Sequence, residues 1–308
     1  MIQFNSGLLK TETTNDPVRL KCTLNLKQLF SSASDSERKK FDARWHCFFH
    51  ADESCHSEIF PQKGDDLIYF SEHLIPEVID DRPPLLLLLG NPASHSVKAG
   101  MFFSYEGKQR EHRFWKLLSS AGILDFAFDE EPLDERNHKR KERLLSLSYD
   151  SPFRIGLAVF ITFPSPASRD WSGVAGVETL FLGAKSKAMK QIIAAEKKRI
   201  LECATNFLSP DGTIICFNKL TWDELRSSGD PKYTRDGAMK GSLEGHLEGN
   251  ASNPLVPCSS DQVGKSGKGK YNIAEVLRTL TLNPGHNRPR ACIRHSGRRR
   301  GTRPRARR

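Results

Sequence analysis

Five consecutive leucines, residues 85–89, constrain the fold of this chain more than any other part of its sequence. Pro83 and Pro84 precede the run and Gly90 follows it. Leucines alone also suit a buried helix, but five residues between such breakers are too few for one. A continuously apolar run is typical of a parallel strand covered on both faces. We therefore predict a buried parallel strand that ends at Gly90.

Three further short apolar runs, separated by helical or loop sequence, indicate more strands of the same sheet. They are residues 155–162, 213–217 and, most weakly, 255–256. Alternation of strands and helices favours right-handed crossovers and a binding site at the carboxyl ends of the strands. We predict an α/β fold with three layers, in which a central four-stranded, mainly parallel sheet is flanked by helices.

Helices are predicted over residues 110–122, 177–207 and 271–280. The first has apolar residues three and four positions apart and stops at a glycine. The second is long and rich in Lys, Glu and Ala, with an apolar inner face. Residues 125–143 are dense in charges of both signs, and we interpret them as a solvated excursion.

Composition divides the chain into three regions. Residues 1–80 hold aromatic and apolar patches and are expected to pack on the core as an N-terminal extension. Residues 81–284 are expected to form the main domain, with a Gly-, Ser- and charge-rich flexible insertion over residues 227–253. Residues 285–308 are rich in Arg, Pro and Gly, which predicts a disordered basic tail.

The net charge of +10 is located in that tail. From residue 288 onward there are ten arginines and no acidic residue, so the preceding 287 residues are formally neutral. A nucleic-acid site in the body of the chain must therefore be a local patch. The tail either adds salt-sensitive affinity for nucleic acid or is a terminus without function.

The cellular setting is inferred from what the sequence lacks. Its seven cysteines are odd in number and scattered, which suits free thiols in a reducing compartment. No run of eighteen apolar residues and no secretory signal is visible. We expect a monomer that is not secreted, does not enter membranes, and is either cytoplasmic and nucleoid-associated or nuclear.

The most specific stretch is residues 85–118, LLLLLGNPASHSVKAGMFFSYEGKQREHRFWKLL. A hydrophobic strand leads to an Asn-Pro turn, then to a loop with aromatic residues, then to a helix start. This order resembles the first motif region of the uracil-DNA glycosylase superfamily, and is closest to the mismatch-specific uracil-DNA and thymine-DNA glycosylases. The matching segments are Gly90-Asn91-Pro92, Phe102-Phe103 and His112-Arg113-Phe114-Trp115. The turn has one residue fewer between Gly and Asn than the family pattern, and His112 stands where the family has Asn.

Later segments extend the resemblance to roughly residues 85–280. Cys216-Phe217-Asn218-Lys219 is similar to the Phe-Asn-Gly-Lys of thymine-DNA glycosylases without its Gly, and Ile155-Gly156-Leu157 is similar to the start of the family's second strand. Pro257-Cys258-Ser259-Ser260 stands where the family has its second motif, but it has no His. The family also has a bulky side chain here, which fills the space in the DNA base stack that the flipped base leaves. This sequence has no such bulky residue, and Val263 or Gln262 are the candidates for that role.

The resemblance implies a chemistry and a set of site residues. A glycosylase rotates its target base into a pocket, and water attacks the sugar C1′ as the base leaves. Asn91 is implied to aim that water, because a neutral amide is not a strong general base. The base pocket is implied to contain Gly90, Pro92, Phe103, Asn218 and His95, with Phe103 stacked on the base. Contacts to the DNA backbone are assigned to Ser259, Ser260, Lys265 and Arg113.

The predicted function is therefore hydrolytic removal of uracil, or of a related damaged or mismatched pyrimidine, from DNA, with no metal or organic cofactor. Plainer interpretations stay open: an Asn-Pro after a strand is often only a turn, Phe102 and Phe103 suit a core, and His95 suits a turn-stabilising hydrogen bond. The alternative function is a nucleic-acid-binding protein that keeps this fold without turnover.

Two weaker motifs are interpreted without catalytic function. The stretch Trp45-His46-Cys47-x-x-His50-x4-Cys55-His56 offers four possible zinc ligands, with a spacing compatible with tetrahedral binding. No distant second pair of the Cys-x-x-Cys type supports a zinc site, which favours an amphipathic extension. Residues 264–269 resemble a phosphate loop without the full Walker spacing. They suit a basic loop near the DNA backbone or a solvated turn.

Overall fold

The described residues form α-helices and two β-sheets, which confirms the predicted α/β class. The computed structural model describes residues 3–15, 18–107, 110–120, 122–126, 128, 131–240 and 243–258. The helix predicted over residues 271–280 and the basic tail lie outside the described residues.

The N-terminal region builds an antiparallel sheet that the sequence analysis did not predict. Its strands lie in the order β1-β2-β3-β5-β4. Alternate residues of the third strand, Leu20, Cys22 and Leu24, are buried, so one face of this sheet points into the core. The strands are β1 (Gln3–Asn5), β2 (Leu9–Asn15), β3 (Val18–Asn25), β4 (Gln62–Lys63) and β5 (Asp66–Ser71).

Three helices lie between β3 and β4. They are α1 (Leu26–Leu29), α2 (Asp35–His50) and α3 (Glu53–Ile59). Helix α2 begins at a capping box, in which the Ser34 hydroxyl accepts from Glu37 N–H and the Glu37 carboxylate accepts from Ser34 N–H. Phe41 and Phe48 on its apolar side are buried in the core, where the Phe41 ring lies 5.5 Å from the Phe181 ring and the Phe48 ring lies 5.8 Å from the Phe163 ring.

The central sheet contains the four expected strands, and they run parallel to one another. Within the described residues, two short antiparallel edge strands extend it to six strands, in the order β10-β11-β9-β7-β8-β6. The parallel strands are β7 (Pro84–Leu89), β8 (Arg154–Val159), β9 (Thr213–Cys216) and β11 (Asn250–Pro257). The edge strands are β6 (His73–Leu74) and β10 (Gly245–Leu247).

Seven helices of the described chain connect or follow these strands. Among the residues that the structure describes, none of the helices is both long and apolar enough to cross a bilayer. The helices are α4 (Ser94–Ala99), α5 (Arg113–Ser120), α6 (Leu133–Ser146), α7 (Gly173–Leu180), α8 (Lys187–Phe207), α9 (Lys219–Leu225) and α10 (Arg235–Lys240).

Both faces of the central sheet are covered, which explains the run of leucines. Leu86 and Leu88 belong to a cluster that includes α7, α8 and the N-terminal sheet. Leu85, Leu87 and Leu89 belong to a second cluster that includes α5 and α6. Because successive residues of a strand point to opposite faces, every position of β7 must be apolar.

Two predictions about the helical segments are wrong. The single helix expected over residues 177–207 is two helices, because Leu182 and Gly183 have φ of 72° and 108° and Ser186 caps a new start at α8. Residues 125–143 are not a solvated excursion. Most of α6 lies there, and it is held by Asn137, which donates to the Ser104 carbonyl at 2.9 Å, and by buried Arg140.

Residues 227–253, expected to be a flexible insertion, contain α10, β10 and the start of β11. The hairpin is possible because Gly249 has a φ of 76°, which allows the tight turn between β10 and β11. A glycine is also needed at position 245, since a Cβ there would lie 2.7 Å from the Trp222 ring.

The strand order has a topological switch point at one end of the central sheet. In chain order the four parallel strands are arranged 2-1-3-4, so the connections leaving the two middle strands run to opposite sides. In open sheets of this kind ligands bind outside the carboxyl ends of the strands at that point. The carboxyl ends concerned are those of β7 and β9, which are followed by Gly90 and Phe217.

Candidate functional site at the carboxyl ends of the strands

The turn after β7 is held against the loop that follows β8. Gly90 O accepts from Ile161 N–H at 2.8 Å, and Pro92 O accepts from Ser165 N–H at 3.0 Å. Ser94 N–H in turn donates to Ser165 O at 2.9 Å. These backbone bonds continue the parallel pairing of the two strands beyond the sheet, and they fix the path of the turn.

The half-buried Asn91 side chain points into the same loop. Its Nδ2 donates to Phe163 O at 3.2 Å and to Ser165 Oγ at 3.0 Å. A carbonyl only accepts, so the amide nitrogen must face the loop and Oδ1 must face away from it. No described residue donates to Oδ1. The structure therefore presents an oriented acceptor at the end of β7.

Gly90 and Asn218 meet at the switch point of the sheet. A Cβ at Gly90 would lie 3.0 Å from Asn218 Nδ2 and 3.1 Å from Val174 Cγ2, so a side chain there would displace its neighbours. Asn218 caps α9, because its Oδ1 accepts from Leu220 N–H at 2.8 Å. Its Nδ2 is left as a donor beside Gly90. The two motif segments that the sequence singled out are thus neighbours in space.

Phe102 and Phe103 have different environments, as expected for adjacent residues of a loop. Phe102 is 1% exposed and lies in the core, whereas Phe103 is half-buried at its edge. The Phe103 ring centroid lies 4.2 Å from that of Phe114. Phe103 also has a φ of 49°, which is strained for a bulky residue, and such strain is concentrated at functional sites.

Aromatic contacts connect Phe103 to the strand ends. The Phe114 ring lies 6.0 Å from the ring of Phe217, which directly precedes Asn218. The Phe103 carbonyl accepts from Trp115 Nε1 at 3.0 Å, which fixes the loop on α5. Phe103 is therefore at the rim of the same end of the sheet.

Two histidines lie beside this loop. The His95 ring is 4.5 Å from the Tyr105 ring, and burial lowers the pKa of His95. The His112 ring is 4.6 Å from the Phe103 ring, and His112 Nδ1 accepts from Phe114 N–H at 3.2 Å. His112 was not among the predicted site residues, although it stands inside the first motif.

The predicted DNA-contacting residues are only partly within the described chain. Arg113 is exposed, and its Nε lies 3.5 Å from Glu106 Oε2, a surface ion pair that contributes little and leaves the guanidinium accessible. Ser259, Ser260 and Lys265 lie outside the described residues. Cys258, the last described residue, donates its N–H to Cys216 O at 2.7 Å, so the chain leaves β11 beside the end of β9.

A buried ion pair supports the loop that holds Asn91, and the sequence analysis missed it. Glu196 Oε2 accepts from Arg199 Nε at 2.6 Å, and the side chains are 1% and 4% exposed. Glu196 Oε1 accepts from Thr162 N–H at 2.6 Å and from Thr162 Oγ1 at 2.5 Å. Arg199 Nη2 donates to the carbonyls of Val159 and Phe160 at the end of β8.

The N-terminal region joins this network and the turn. The Thr162 hydroxyl uses its hydrogen in the bond that it donates to Glu196. The Tyr69 hydroxyl on β5 must therefore be the donor in its 2.8 Å hydrogen bond with Thr162 Oγ1. His56 on α3 donates from Nδ1 to Phe49 O and accepts from Ser94 Oγ at Nε2, each at 2.9 Å. Both contacts are buried, so residues before β6 help to position the site.

The zinc-like spacing around His56 therefore has a structural explanation. Among the described residues no group of three or more His, Cys, Asp or Glu side chains is arranged to hold a metal ion. Burial lowers the pKa of His56, so its ring is neutral and Nε2 can accept a hydrogen bond from the Ser94 hydroxyl.

The sequence did contain a signal for the ion pair. Glu196 and Arg199 fall on the same face of α8 as the buried residues Ile192, Ile200 and Cys203, three or four positions apart. Charged residues inside an apolar stripe are almost never buried unless they are paired. That pattern predicts a buried pair, but it does not identify the backbone groups that the pair holds.

Comparison with known proteins leaves the family open. No family model matches the chain, and no curated protein matches it significantly. The arrangement of Gly90, Asn91 and Asn218 is therefore interpreted from its own geometry and from the sequence resemblance.

Replacing either member of the buried pair should destabilise the protein strongly. Glu196→Leu and Arg199→Met each leave a lone charge in the core, and each should lower the free energy of unfolding by about 3–5 kcal/mol. The double variant should lose less than the sum, because it leaves no uncompensated charge. Urea unfolding followed by circular dichroism measures these differences.

Glu135→Gln is the matched control, since Glu135 forms an exposed i,i+4 pair with Lys139 on α6 at 3.2 Å. It should change the free energy of unfolding by no more than about 0.5 kcal/mol. Additive losses in the double variant, or single losses as small as that of the control, would show that the buried pair does not carry this stability.

Proposed function

We propose that this chain is a DNA glycosylase that hydrolyses the N-glycosidic bond of uracil, or of a related damaged or mismatched pyrimidine, in DNA. The observation that carries the proposal is the Asn91 amide. Its nitrogen is bound to the loop after β8 and its oxygen accepts from no described residue, at the end of a parallel strand beside Asn218. This is the geometry needed to hold one water molecule in a fixed direction.

The reaction consumes one water molecule. The bond between sugar C1′ and base N1 breaks, and its electron pair leaves with the pyrimidine. The water oxygen bonds to C1′ and loses one proton to the solvent, and the pyrimidine anion takes up one proton from the solvent, which leaves an abasic site and a free base. Asn91 Oδ1 accepts a hydrogen bond from the water and aims it. Because an amide is a weak base, much of the driving force must come from the stability of the leaving pyrimidine anion.

The neighbouring groups suit a flipped pyrimidine. Asn218 Nδ2 is a donor for a pyrimidine carbonyl, and Gly90 allows the Asn218 amide to lie close to the turn, since a Cβ at Gly90 would be 3.0 Å from Asn218 Nδ2. The half-buried Phe103 ring packs on Phe114, with the ring centroids 4.2 Å apart, and is proposed to stack on the base at the rim. Buried Pro92 fixes the turn, and His95 contacts either the base or a phosphate.

The DNA partner, like the reaction, is part of this proposal. Exposed Arg113, which pairs only loosely with Glu106, is proposed to contact a phosphate near the site. Ser259, Ser260 and Lys265 follow directly on Cys258, whose backbone is bound beside the end of β9, so they are proposed to contact the DNA backbone next to the lesion. We further propose that the domain is three-layered and acts as a monomer, and the mechanism above needs no metal or organic cofactor.

One alternative is supported by specific sequence features. Compared with the family pattern, the turn lacks one residue between Gly90 and Asn91, and the segment Pro257-Cys258-Ser259-Ser260 has no His. Both features also suit a protein that binds nucleic acid and no longer cleaves the glycosidic bond. A protein of that kind would bind uracil-containing DNA and leave it intact.

Asn91→Ala should abolish most of the excision while leaving DNA binding nearly unchanged, because the water contact matters chiefly as the bond breaks. We expect the single-turnover rate to fall at least about 100-fold. The measurement is the appearance of alkali-labile sites in a uracil-containing duplex, with binding followed by fluorescence anisotropy.

Asn206→Ala, at an exposed position on α8, is the control and should behave as the wild type. Excision by Asn91→Ala at the wild-type rate would remove Asn91 from the mechanism. Tight binding by the wild type without any alkali-labile product would favour the non-catalytic alternative.

Replacement of the two adjacent phenylalanines should separate stacking from stability. Phe103→Ala should weaken use of the substrate by the equivalent of about 1–3 kcal/mol, because base–aromatic stacking is lost. Phe102→Ala should instead destabilise the protein by about 3–5 kcal/mol, since that ring is buried in the core. Thermal melting and single-turnover excision are measured on both variants. Excision by Phe103→Ala at the wild-type rate would show that the base is bound elsewhere.

A further inference from the structure

A small polar cavity lies between the N-terminal sheet and the central sheet, away from the switch point. It is bounded by the start of β3, the end of β5, β6 and the loop that follows α4, and it has room for about one water-sized particle. Glu72, between β5 and β6, lines the cavity and is 6% exposed. The other polar or loop residues of the wall are Arg19, Ser71, His73, Gly100 and Phe102.

Two basic side chains converge on Gly100. A Cβ at that position would lie 3.5 Å from Lys141 Nζ and 3.9 Å from Arg19 Nε. Lys141 donates to the Val18 carbonyl. Arg19 Nη2 donates to the Lys98 carbonyl at 3.0 Å. Within the described chain neither side chain forms an ion pair, and Arg19 Nε has no acceptor, so two positive charges lie beside the cavity without a counter-charge in contact.

The Glu72 carboxyl does not supply that counter-charge. Among the described residues it forms no ion pair, and its Oε1 has no hydrogen-bond partner. Burial raises the pKa of Glu72 well above its usual value, although the charge of Lys141 acts in the opposite direction. A buried acid of this kind keeps its proton and offers an O–H donor.

The other titratable groups leave the cavity positive near neutral pH. Burial lowers the pKa of Lys141 to about 8, and the charge of Arg19 adds to the lowering while Glu72 opposes it. The ammonium group therefore still carries its charge. Burial, together with the charge of Arg199, lowers the pKa of His73 to about 3, so its ring is neutral.

A small monovalent anion fits both the charge and the size of this cavity. A water molecule would fill the space, but it would leave two cations without compensation, and a buried charge is costly unless it is paired. A halide ion is close to water in size and accepts hydrogen bonds from any direction. Phosphate, sulfate and carboxylates are too large for the space. The positive surroundings also disfavour a metal cation.

We propose that this cavity is a chloride site, in which the ion accepts hydrogen bonds from Arg19 Nε, Lys141 Nζ and the protonated carboxyl of Glu72. The site does not depend on the proposed function. The ion connects β3 and α6 to the loop after α4, which continues into Phe103. Because the ion binds the folded chain and not the unfolded one, it stabilises the fold by mass action. Loss of the proton from either Glu72 or Lys141 weakens the site, so chloride binds less tightly as the pH rises.

The test compares sodium chloride with sodium gluconate, whose anion is too large for the cavity, at one ionic strength of about 0.15 M and near neutral pH. Thermal melting of the full chain is followed by circular dichroism in each salt. The measured quantity is the melting temperature in chloride minus that in gluconate. General effects of the two salts on protein surfaces are removed by comparing this difference between variants.

Three substitutions are compared with the wild type. Lys141→Met removes one charge from the cavity and keeps a side chain of similar length. Glu72→Gln keeps a neutral hydrogen-bond donor. Lys139→Met is the matched control on the same helix, since Lys139 pairs with Glu131 and Glu135 and does not line the cavity.

We expect the chloride-minus-gluconate difference to be more positive by roughly 2–4 °C in the wild type than in Lys141→Met, as for an ion present at several times its dissociation constant. Lys139→Met should keep the wild-type difference. Glu72→Gln should keep it too, because the amide replaces the protonated carboxyl. Crystals of the wild type grown in bromide should show an anomalous peak within hydrogen-bonding distance of Arg19 Nε and Lys141 Nζ.

Equal differences for the wild type and Lys141→Met would overturn the proposal, and so would the absence of a bromide peak in the cavity. The bromide experiment needs only the wild type, so it decides the matter even if Lys141→Met does not fold. A chloride effect that is present in Glu72→Gln and absent in the wild type would show that Glu72 is ionised and is itself the counter-charge. The cavity would then hold water.

Discussion

The buried pair of Glu196 and Arg199 is the interaction on which the site depends. A charge in the core is costly unless it is paired and its remaining hydrogen-bonding groups are satisfied. Here both carboxylate oxygens are occupied, one by Arg199 and one by the amide and hydroxyl of Thr162. Arg199 in turn binds two carbonyls at the end of β8. The pair therefore fixes the place where β8 stops and its loop begins.

That loop transmits the constraint to the proposed catalytic amide. Phe163 O and Ser165 Oγ accept hydrogen bonds from Asn91 Nδ2, so Asn91 Oδ1 is directed away from the loop. The N-terminal region adds two further supports, through the Tyr69 hydroxyl on Thr162 and through His56 on Ser94. A region that appeared from the sequence to be an extension is thus part of the scaffold of the site.

Much of the fold could be predicted from the sequence, because burial on both faces leaves a continuous apolar run such as residues 85–89. Helix α6 could not be predicted, because its buried face includes the polar residues Asn137 and Arg140. These interrupt the apolar stripe by which an amphipathic helix is recognised in a sequence. The strand β3 was missed although Leu20, Cys22 and Leu24 alternate with polar residues. The motif residues were found, but the orientation of Asn91 is set by residues more than seventy positions away, which spacing alone does not reveal.

The central claim is that the loop after β8 orients Asn91 for excision, and Ser165→Ala tests it most directly. Ser165 Oγ accepts from both Asn91 Nδ2 and Gly173 N–H, whereas Ser168 Oγ in the same loop accepts only from a backbone N–H, that of Trp171. Ser168→Ala is therefore the matched control. On a uracil-containing duplex, the account predicts a single-turnover rate about tenfold lower for Ser165→Ala than for Ser168→Ala, the equivalent of one hydrogen bond. Equal rates for the two variants would contradict it.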